Sequence, residues 1–255
     1  MTSGSTNRIR LEFLGIPKIV RDGGDTPISD RKLALLLFLL AARGRSSRIQ
    51  LAAWLWPGAD PDKQLASMRL RVHKLRQLEP ALLGSGGAEL QLANAVEHDL
   101  DSLRQHRDMP IDTALALAAK PLLSGIDLRG LDHVACMVEG YRDLMVSQAI
   151  GAIYRNVQAH DGRIQRRRGI QLLHEVMVLA PLSESACRHL MLLYVLDHDR
   201  ASALHVFERF RETTRKLLGV EPGVRLGRLR ERIVFDERQV RDELRAQRES
   251  SLVQA

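Results

Sequence analysis

Residues 55–78, LWPGADPDKQLASMRLRVHKLRQL, decide the fold of this chain. A loop with proline and glycine precedes a segment of helical periodicity, which has no acidic residue between Asp62 and Glu79. When successive residues are placed about 100° apart, the apolar ones fall within an arc of about 80°, which predicts an inward face. These apolar residues are Leu65, Met68, Val72 and Leu75.

The opposite face of this predicted helix is polar and cationic, and its side chains suit double-stranded DNA. Lys74 can donate to guanine O6 or N7, Gln77 can pair with adenine, and a solvent-facing Leu70 can contact a thymine methyl group. Arginines on the shoulders of the helix would contact phosphate oxygens and fix the register without reading the sequence. For an isolated helix the alternative is a solvated face that happens to be basic.

The elements around this helix predict a small α+β domain. Alternating apolar residues predict a strand at residues 8–13, and turn residues separate it from short strands at 16–20 and 26–28. Helices are predicted at 31–42 and 48–55, and a glycine-rich turn within 82–92 predicts a β-hairpin. Beyond residue 101 the pattern is helical, which places a domain boundary near residues 100–110.

The second part of the chain is predicted to be all-α. Short breakers at Gly125, Gly162, Pro181 and Gly219 separate its helical segments. These segments are predicted at residues 111–123, 132–159, 164–180, 183–196, 200–218 and 224–248. Helices of this length joined by short turns pack antiparallel, and stacked pairs of them form a tetratricopeptide-like array.

The composition and motifs of the chain limit the classes of function that it could have. The formal net charge of +7 and the pI of 9.9 favour a polyanionic partner. Cys136 and Cys187 form no CxxC pair, so neither a disulfide framework nor a zinc site is indicated. No nucleophile, phosphate-binding or metalloprotease motif occurs, so we expect no catalytic residue, no metal, no cofactor and no enzyme activity. The N-terminus lacks a signal-like apolar run and the longest apolar segment is residues 33–42, which predicts a cytoplasmic protein without a membrane partner.

Two sets of motifs resemble a known family. Residues 29–44, SDRKLALLLFLLAARG, residues 48–78 and the hairpin after them resemble the OmpR/PhoB-type winged helix of the antibiotic-regulatory-protein (SARP) activators. Further on, PLLSGIDL from Pro121, VEGYRDLMVSQAIGAIY from Val138 and LGVEPG at residues 218–223 resemble the bacterial transcriptional activation domain. Together the two resemblances cover nearly all of residues 8–235.

The resemblance implies both a fold and a function. The implied fold is an α+β winged helix-turn-helix at residues 8–102, an all-α tetratricopeptide-like domain at 110–235 and a polar helical tail at 236–255. The implied function is that of a sequence-specific DNA-binding transcriptional activator, which recruits RNA polymerase at promoters in the bacterial cytoplasm, on the nucleoid. A homodimer on repeated sites stays open.

The same resemblance assigns residues to roles. The residues implied to face the bases are Ser67, Leu70, Lys74 and Gln77. The residues implied to contact the DNA backbone are Arg69, Arg71, His73 and Arg76. The loop implied to contact RNA polymerase consists of Pro57, Gly58, Ala59, Asp60, Pro61 and Asp62.

The predicted wing departs from the family pattern. No Lys or Arg occurs between Arg76 and Arg104, so we expect little minor-groove affinity from the hairpin and most affinity from the basic helix. The alternative function is a helical protein-interaction adaptor whose winged helix does not bind DNA. The salt dependence of binding distinguishes these two functions. The affinity for DNA falls steeply as the salt concentration rises, whereas the affinity of an apolar groove for a peptide hardly changes.

Overall fold

The computed structural model describes residues 8–84, 87–101, 110–159 and 162–253. The tip of the predicted hairpin at residues 85–86, and most of the predicted domain boundary, residues 102–109, lie outside the described residues. The chain divides into two compact units. The first comprises Met1–Arg107 and Lys120–Leu144, and the second comprises Asp108–Ala119 and Met145–Ala255.

The first unit contains a four-stranded sheet and a two-stranded ribbon. The strands are β1 (Ile9–Glu12), β2 (Lys18–Arg21), β3 (Gly24–Pro27), β4 (Ser46–Ser47), β5 (Glu89–Leu90) and β6 (Val96–His98). The large sheet has the order β3-β2-β1-β6, with β1 antiparallel to β2 and parallel to β6. Ile9, Leu11 and Phe13 are buried whereas Arg10 is exposed, so the alternation predicted for the first strand is confirmed.

A buried carboxylate after β6 binds the chain just beyond the neighbouring strand β1. Asp99 follows β6 directly, and its Oδ2 accepts hydrogen bonds from the backbone N–H groups of Phe13 and Leu14, each at 2.8 Å. The residue is 5% exposed. Burial raises the pKa of the Asp99 carboxyl above its ordinary value, and the two backbone hydrogen bonds offset only part of that increase. The end of β1 is thus fixed by one side chain whose importance no sequence pattern indicated.

The first unit also contains three helices that pack against one another. They are α1 (Arg31–Arg43), α2 (Arg48–Leu55) and α3 (Pro61–Leu78). Every residue from position 33 to position 42 is buried, as predicted for a first helix that is covered on several sides. Asp30 caps α1, and Gly44, with a φ of 72°, ends it.

The structure contains the base of the predicted hairpin. Leu83 and Leu92 form an antiparallel bridge, and the N–H of Gly84 donates to the carbonyl of Gln91 at 3.1 Å. Its returning arm, β5, pairs with β4, which begins at Ser46. Neither β4 nor β6 was predicted, because segments of two and three residues are too short to show an alternating pattern.

The segment 120–144 belongs to the first compact unit. The N–H of Gly15 donates to the carbonyl of Pro121 at 2.7 Å, and the N–H of Leu123 donates to that of Phe13 at 2.8 Å. The ring of Tyr141 meets the ring of Phe38 edge-on, with centroids 5.8 Å apart. The compact units therefore do not coincide with the ranges 8–102 and 110–235, which remain a prediction about sequence domains.

The helices predicted beyond residue 110 are present, but the one predicted at residues 111–123 ends at Ala119, and residues 120–131 are not helical. The remaining helices are α4 (Ile111–Ala119), α5 (Asp132–Ala159), α6 (Arg163–Leu179), α7 (Glu184–Leu196), α8 (Arg200–Leu218) and α9 (Val224–Val253). Residues from the second half of α5 and from α6 to α9 share one apolar core. Gly169 permits close packing there, because a Cβ at this position would lie 2.6 Å from Cγ2 of Val157. Helix α9 is kinked at Asp236, the residue at which the polar tail was predicted to begin.

Replacement of Asp99 tests the carboxylate that joins β1 to β6. We expect Asp99→Ala to lower the free energy of unfolding by about 1–3 kcal/mol, because it leaves a buried N–H without an acceptor. Asp99→Asn keeps an acceptor oxygen and should lose less. Because the raised pKa means that the native state binds the proton more tightly than the unfolded chain, wild type should gain stability over Asp99→Asn as the pH falls through that pKa.

Denaturant titrations at several pH values measure both effects. Equal stability of wild type and Asp99→Ala would contradict the role assigned to the carboxylate, and a pH-independent difference between wild type and Asp99→Asn would contradict the raised pKa.

Candidate nucleic-acid interface

A short, well hydrogen-bonded loop holds the start of α3. Asp60 caps the helix by accepting from the N–H groups of Asp62 and Lys63 at 3.0 and 3.4 Å. The Gln64 amide reaches back and donates to the carbonyls of Trp56 and Ala59 at 2.9 and 3.0 Å. All six residues predicted to contact RNA polymerase, at positions 57–62, are exposed. The loop is therefore accessible and held in one conformation.

One edge of α3 is buried in the first unit. Met68, Val72 and Leu75 are at most 3% exposed, and Leu65 is half-buried. This edge packs towards α1 and α2, as the helical periodicity predicted. At the far end Nε of Arg21 donates to the carboxylate of Glu79 at 2.8 Å, which fixes the last turn against the sheet.

The opposite face of α3 is open to solvent. Leu70 is 53% exposed, which excludes it from the core and leaves it free to contact another molecule. Most residues implied by the family resemblance share this exposure. The exposed ones are Arg69, Leu70, His73, Lys74, Arg76 and Gln77, whereas Ser67 and Arg71 are half-buried.

Asp30 connects the cap of α1 to the cations of α3. Its Oδ1 accepts from the backbone N–H groups of Lys32 and Leu33 at 3.0 and 3.2 Å. Its Oδ2 lies 3.5 Å from Nε of Arg71 and 3.8 Å from Nζ of Lys74. With 23% of its side chain exposed, Arg71 is held beside the helix, while Lys74, at 51%, can still reach outward. No sequence pattern indicated that Asp30 would face these two cations.

Cations from other helices add to the charge beside α3. Burial and the nearby Arg76 guanidinium lower the pKa of Arg48 on α2. Burial is the main cause that lowers the pKa of Lys32 on α1, and the nearby charges of Arg31 and Arg71 lower it further. Like charges held together repel each other, and an anion placed between them relieves this repulsion. Sequence reasoning missed Arg48 and Lys32, because only the packing of the three helices brings them to α3.

The acidic groups that border this surface are already paired. Glu79 pairs with Arg21, and Asp30 faces Arg71 and Lys74. On the hairpin, Glu89 pairs with Arg45. The basic face of α3 thus keeps a positive field, and the hairpin adds no cation to it between Arg76 and Arg104.

Two kinds of site do not occur in the part of the chain that the structure describes. In residues 8–84, 87–101, 110–159 and 162–253, no three His, Cys, Asp or Glu side chains are grouped so that they could hold a metal ion. Within the same described residues, no helix combines the length and the apolar character needed to span a bilayer.

Comparison with known proteins identifies a sequence family and a solved structure of similar fold. The sequence family described as bacterial transcriptional activator domain matches residues 88–234. No curated protein matches the chain. A solved structure of Mycobacterium tuberculosis EmbR, in complex with a low affinity phosphopeptide, is similar with a TM-score of 0.68 and 20% identity, over 93% of this chain and 69% of that one. At this identity the likeness shows a shared fold.

Proposed function

We propose that this chain, a member of the bacterial transcriptional activator domain family, is a SARP-type transcriptional activator that places α3 in the major groove of promoter DNA. This is a family of transcriptional regulators rather than of enzymes. The proposal includes recruitment of RNA polymerase through the loop at residues 57–62, and a cytoplasmic location on the nucleoid. Binding of two copies to repeated sites is an outcome that footprinting would show.

The exposed cationic face of α3 is the observation that carries the proposal. An 18-residue helix is about 27 Å long, and the major groove, about 12 Å wide, accommodates one α-helix. The helix is anchored on its apolar edge and at both ends, so it enters a duplex as a rigid element. Glu79 and Glu89 pair with arginines outside this face, whereas Asp30 faces its cations Arg71 and Lys74.

Side-chain chemistry divides the face into base-reading and phosphate-binding positions. Leu70, Lys74 and Gln77 are three or four residues apart and therefore share one strip of the helix. Arg69 and Arg76 lie beside this strip, where a guanidinium reaches backbone oxygens. The half-buried Ser67 lies near the start of the strip, and His73 lies on its exposed side. Arg48 is an additional candidate phosphate contact from α2.

Substitution of one base-reading and one phosphate-binding residue tests this division. Lys74→Ala should weaken binding to a selected operator by about 1–3 kcal/mol and relax the preference at one base pair. Arg69→Ala should weaken selected and random duplexes alike, because phosphates carry no sequence information. Affinities measured on both duplexes by fluorescence anisotropy decide the matter. Equal losses on both duplexes for Lys74→Ala would remove its assignment as a base reader.

Asp30 is expected to favour specific over nonspecific binding. Asp30→Asn keeps a capping oxygen for α1 but removes the charge that faces Arg71 and Lys74. We expect tighter binding to random DNA, a salt slope steeper by up to about 1, and a smaller ratio of specific to nonspecific affinity.

Asp25→Asn is the matched control for Asp30→Asn, since it removes an exposed carboxylate that pairs with Lys18 on the sheet. Salt titrations of both variants on random DNA give the comparison. If Asp30→Asn behaves like the control, the carboxylate has no part in DNA binding.

The proposed polymerase contact is tested at Ala59. Its side chain is exposed, so Ala59→Glu changes the loop surface and leaves the Asp60 cap in place. We expect activated transcription in vitro to fall roughly fivefold or more at saturating activator, with DNA affinity within about twofold of wild type. Gln50→Glu, at an exposed position on α2, is the control. Unchanged activation by Ala59→Glu would contradict the contact.

A further inference from the structure

We propose that the second unit binds a small organic anion with an apolar body, in a cleft between α6, α7 and α8. The cleft has a volume of about 310 Å³ and is lined by residues of these three helices and of the turn at Pro181. No part of the DNA-binding argument uses this cleft. The proposal is therefore independent of the function proposed for the first unit.

The floor of the cleft is apolar and well packed. Leu190, Val206 and Phe210 line it and are at most 6% exposed, and Met177 closes one side. Val178, which also lines the cleft, is 81% exposed and offers it an apolar surface. A rigid apolar surface of this kind gains free energy when an apolar ligand displaces water from it.

The polar groups of the cleft favour a negative charge. Its lining includes Arg209, His174 and His205 but no carboxylate. Other arginines nearby are paired, as Arg211 is with Glu208 and Arg215 is with Glu221. In the part of the chain that the structure describes, no carboxylate lies within ion-pair distance of Arg209, so its charge remains available to a ligand.

The imidazole of His174 forms a polar part of the cleft lining. Its Nε2 lies 2.9 Å from the hydroxyl of Tyr194, and the two rings meet edge-on. Burial, with a smaller effect from the Arg209 guanidinium, lowers the pKa of His174 below its ordinary value, so the ring is neutral near pH 7. The fixed positive charge of the cleft is then that of Arg209, which can bind a carboxylate or sulfonate by two parallel hydrogen bonds.

The volume limits the ligand. Sites for small molecules range from about 300 to about 1,000 Å³, so this cleft is at the small end of the range. It suits a body of two or three rings, or a short acyl chain, that carries one anionic group. Such a molecule would place its apolar part against Met177, Val178 and Pro181, which line the cleft and are exposed or half-buried, and its anion beside Arg209.

Two matched dyes test the proposal in the full chain. The first, 8-anilinonaphthalene-1-sulfonate, carries an anionic group, and N-phenyl-1-naphthylamine has the same aromatic body without it. Fluorescence titration of wild type should show saturable binding of both dyes. Arg209→Gln should raise the Kd of the sulfonate roughly tenfold and leave that of the neutral dye within about twofold.

Two further variants locate the site. Arg215→Gln, at an exposed position on the same helix, should leave both Kd values unchanged. Thr213→Trp, at a half-buried position of the lining, should weaken both dyes by filling the cleft. Circular dichroism shows whether each variant is folded. The proposal is overturned if Arg209→Gln affects both dyes equally or neither, if Arg215→Gln acts like Arg209→Gln, or if folded Thr213→Trp binds both dyes as wild type does.

Discussion

The packing of one apolar edge of α3 is the constraint on which the rest of the first unit depends. Met68, Val72 and Leu75 can be buried only if the helix lies with this edge towards α1 and α2. Since side chains on a helix recur every 3.6 residues, that placement also decides which side chains remain in solvent. The residues left outside are the basic and amide side chains that suit DNA. Burial of this edge of α3 thus both stabilises the first unit and exposes the proposed DNA-binding face.

In the proposed DNA-binding role, the pairing of charges around α3 favours specific over nonspecific binding. A helix with several unopposed cations would bind any polyanion. Here Asp30 restrains Arg71 and Lys74, and Glu79 is bound by Arg21. Part of the charge is therefore held close to the protein, and exposed guanidinium groups such as that of Arg69 remain for phosphates. Asp30 thus both caps α1 and faces two cations of α3.

Patterns that repeat along the sequence predicted most of the fold. The periodicity of α3, the buried run in α1 and the alternation in β1 are each determined locally, and the structure has all three. The long helices of the second unit follow from the same kind of pattern. Contacts between residues distant in sequence were not predictable in this way. The bond from Phe13 to Asp99 spans 86 positions, and no local pattern marks Asp99 as its acceptor.

The candidate site was likewise predictable only where local patterns determine it. Exposure of Leu70, Lys74 and Gln77 followed from helical geometry, whereas the roles of Asp30 and Arg48 depend on how α1, α2 and α3 pack together. The short pairing of residues 121–124 with the end of β1 is another contact of this kind, and it explains why compact packing assigns residues 120–144 to the first unit.

The salt dependence of duplex DNA binding tests the central claim most directly. Each phosphate neutralised contributes about −0.9 to the slope of log K against log salt. With three to five cations of α3 and its neighbours in contact with phosphates, the full chain should give a slope between roughly −2.7 and −4.5. A slope near zero, or no binding of duplex DNA at low salt, would contradict the account.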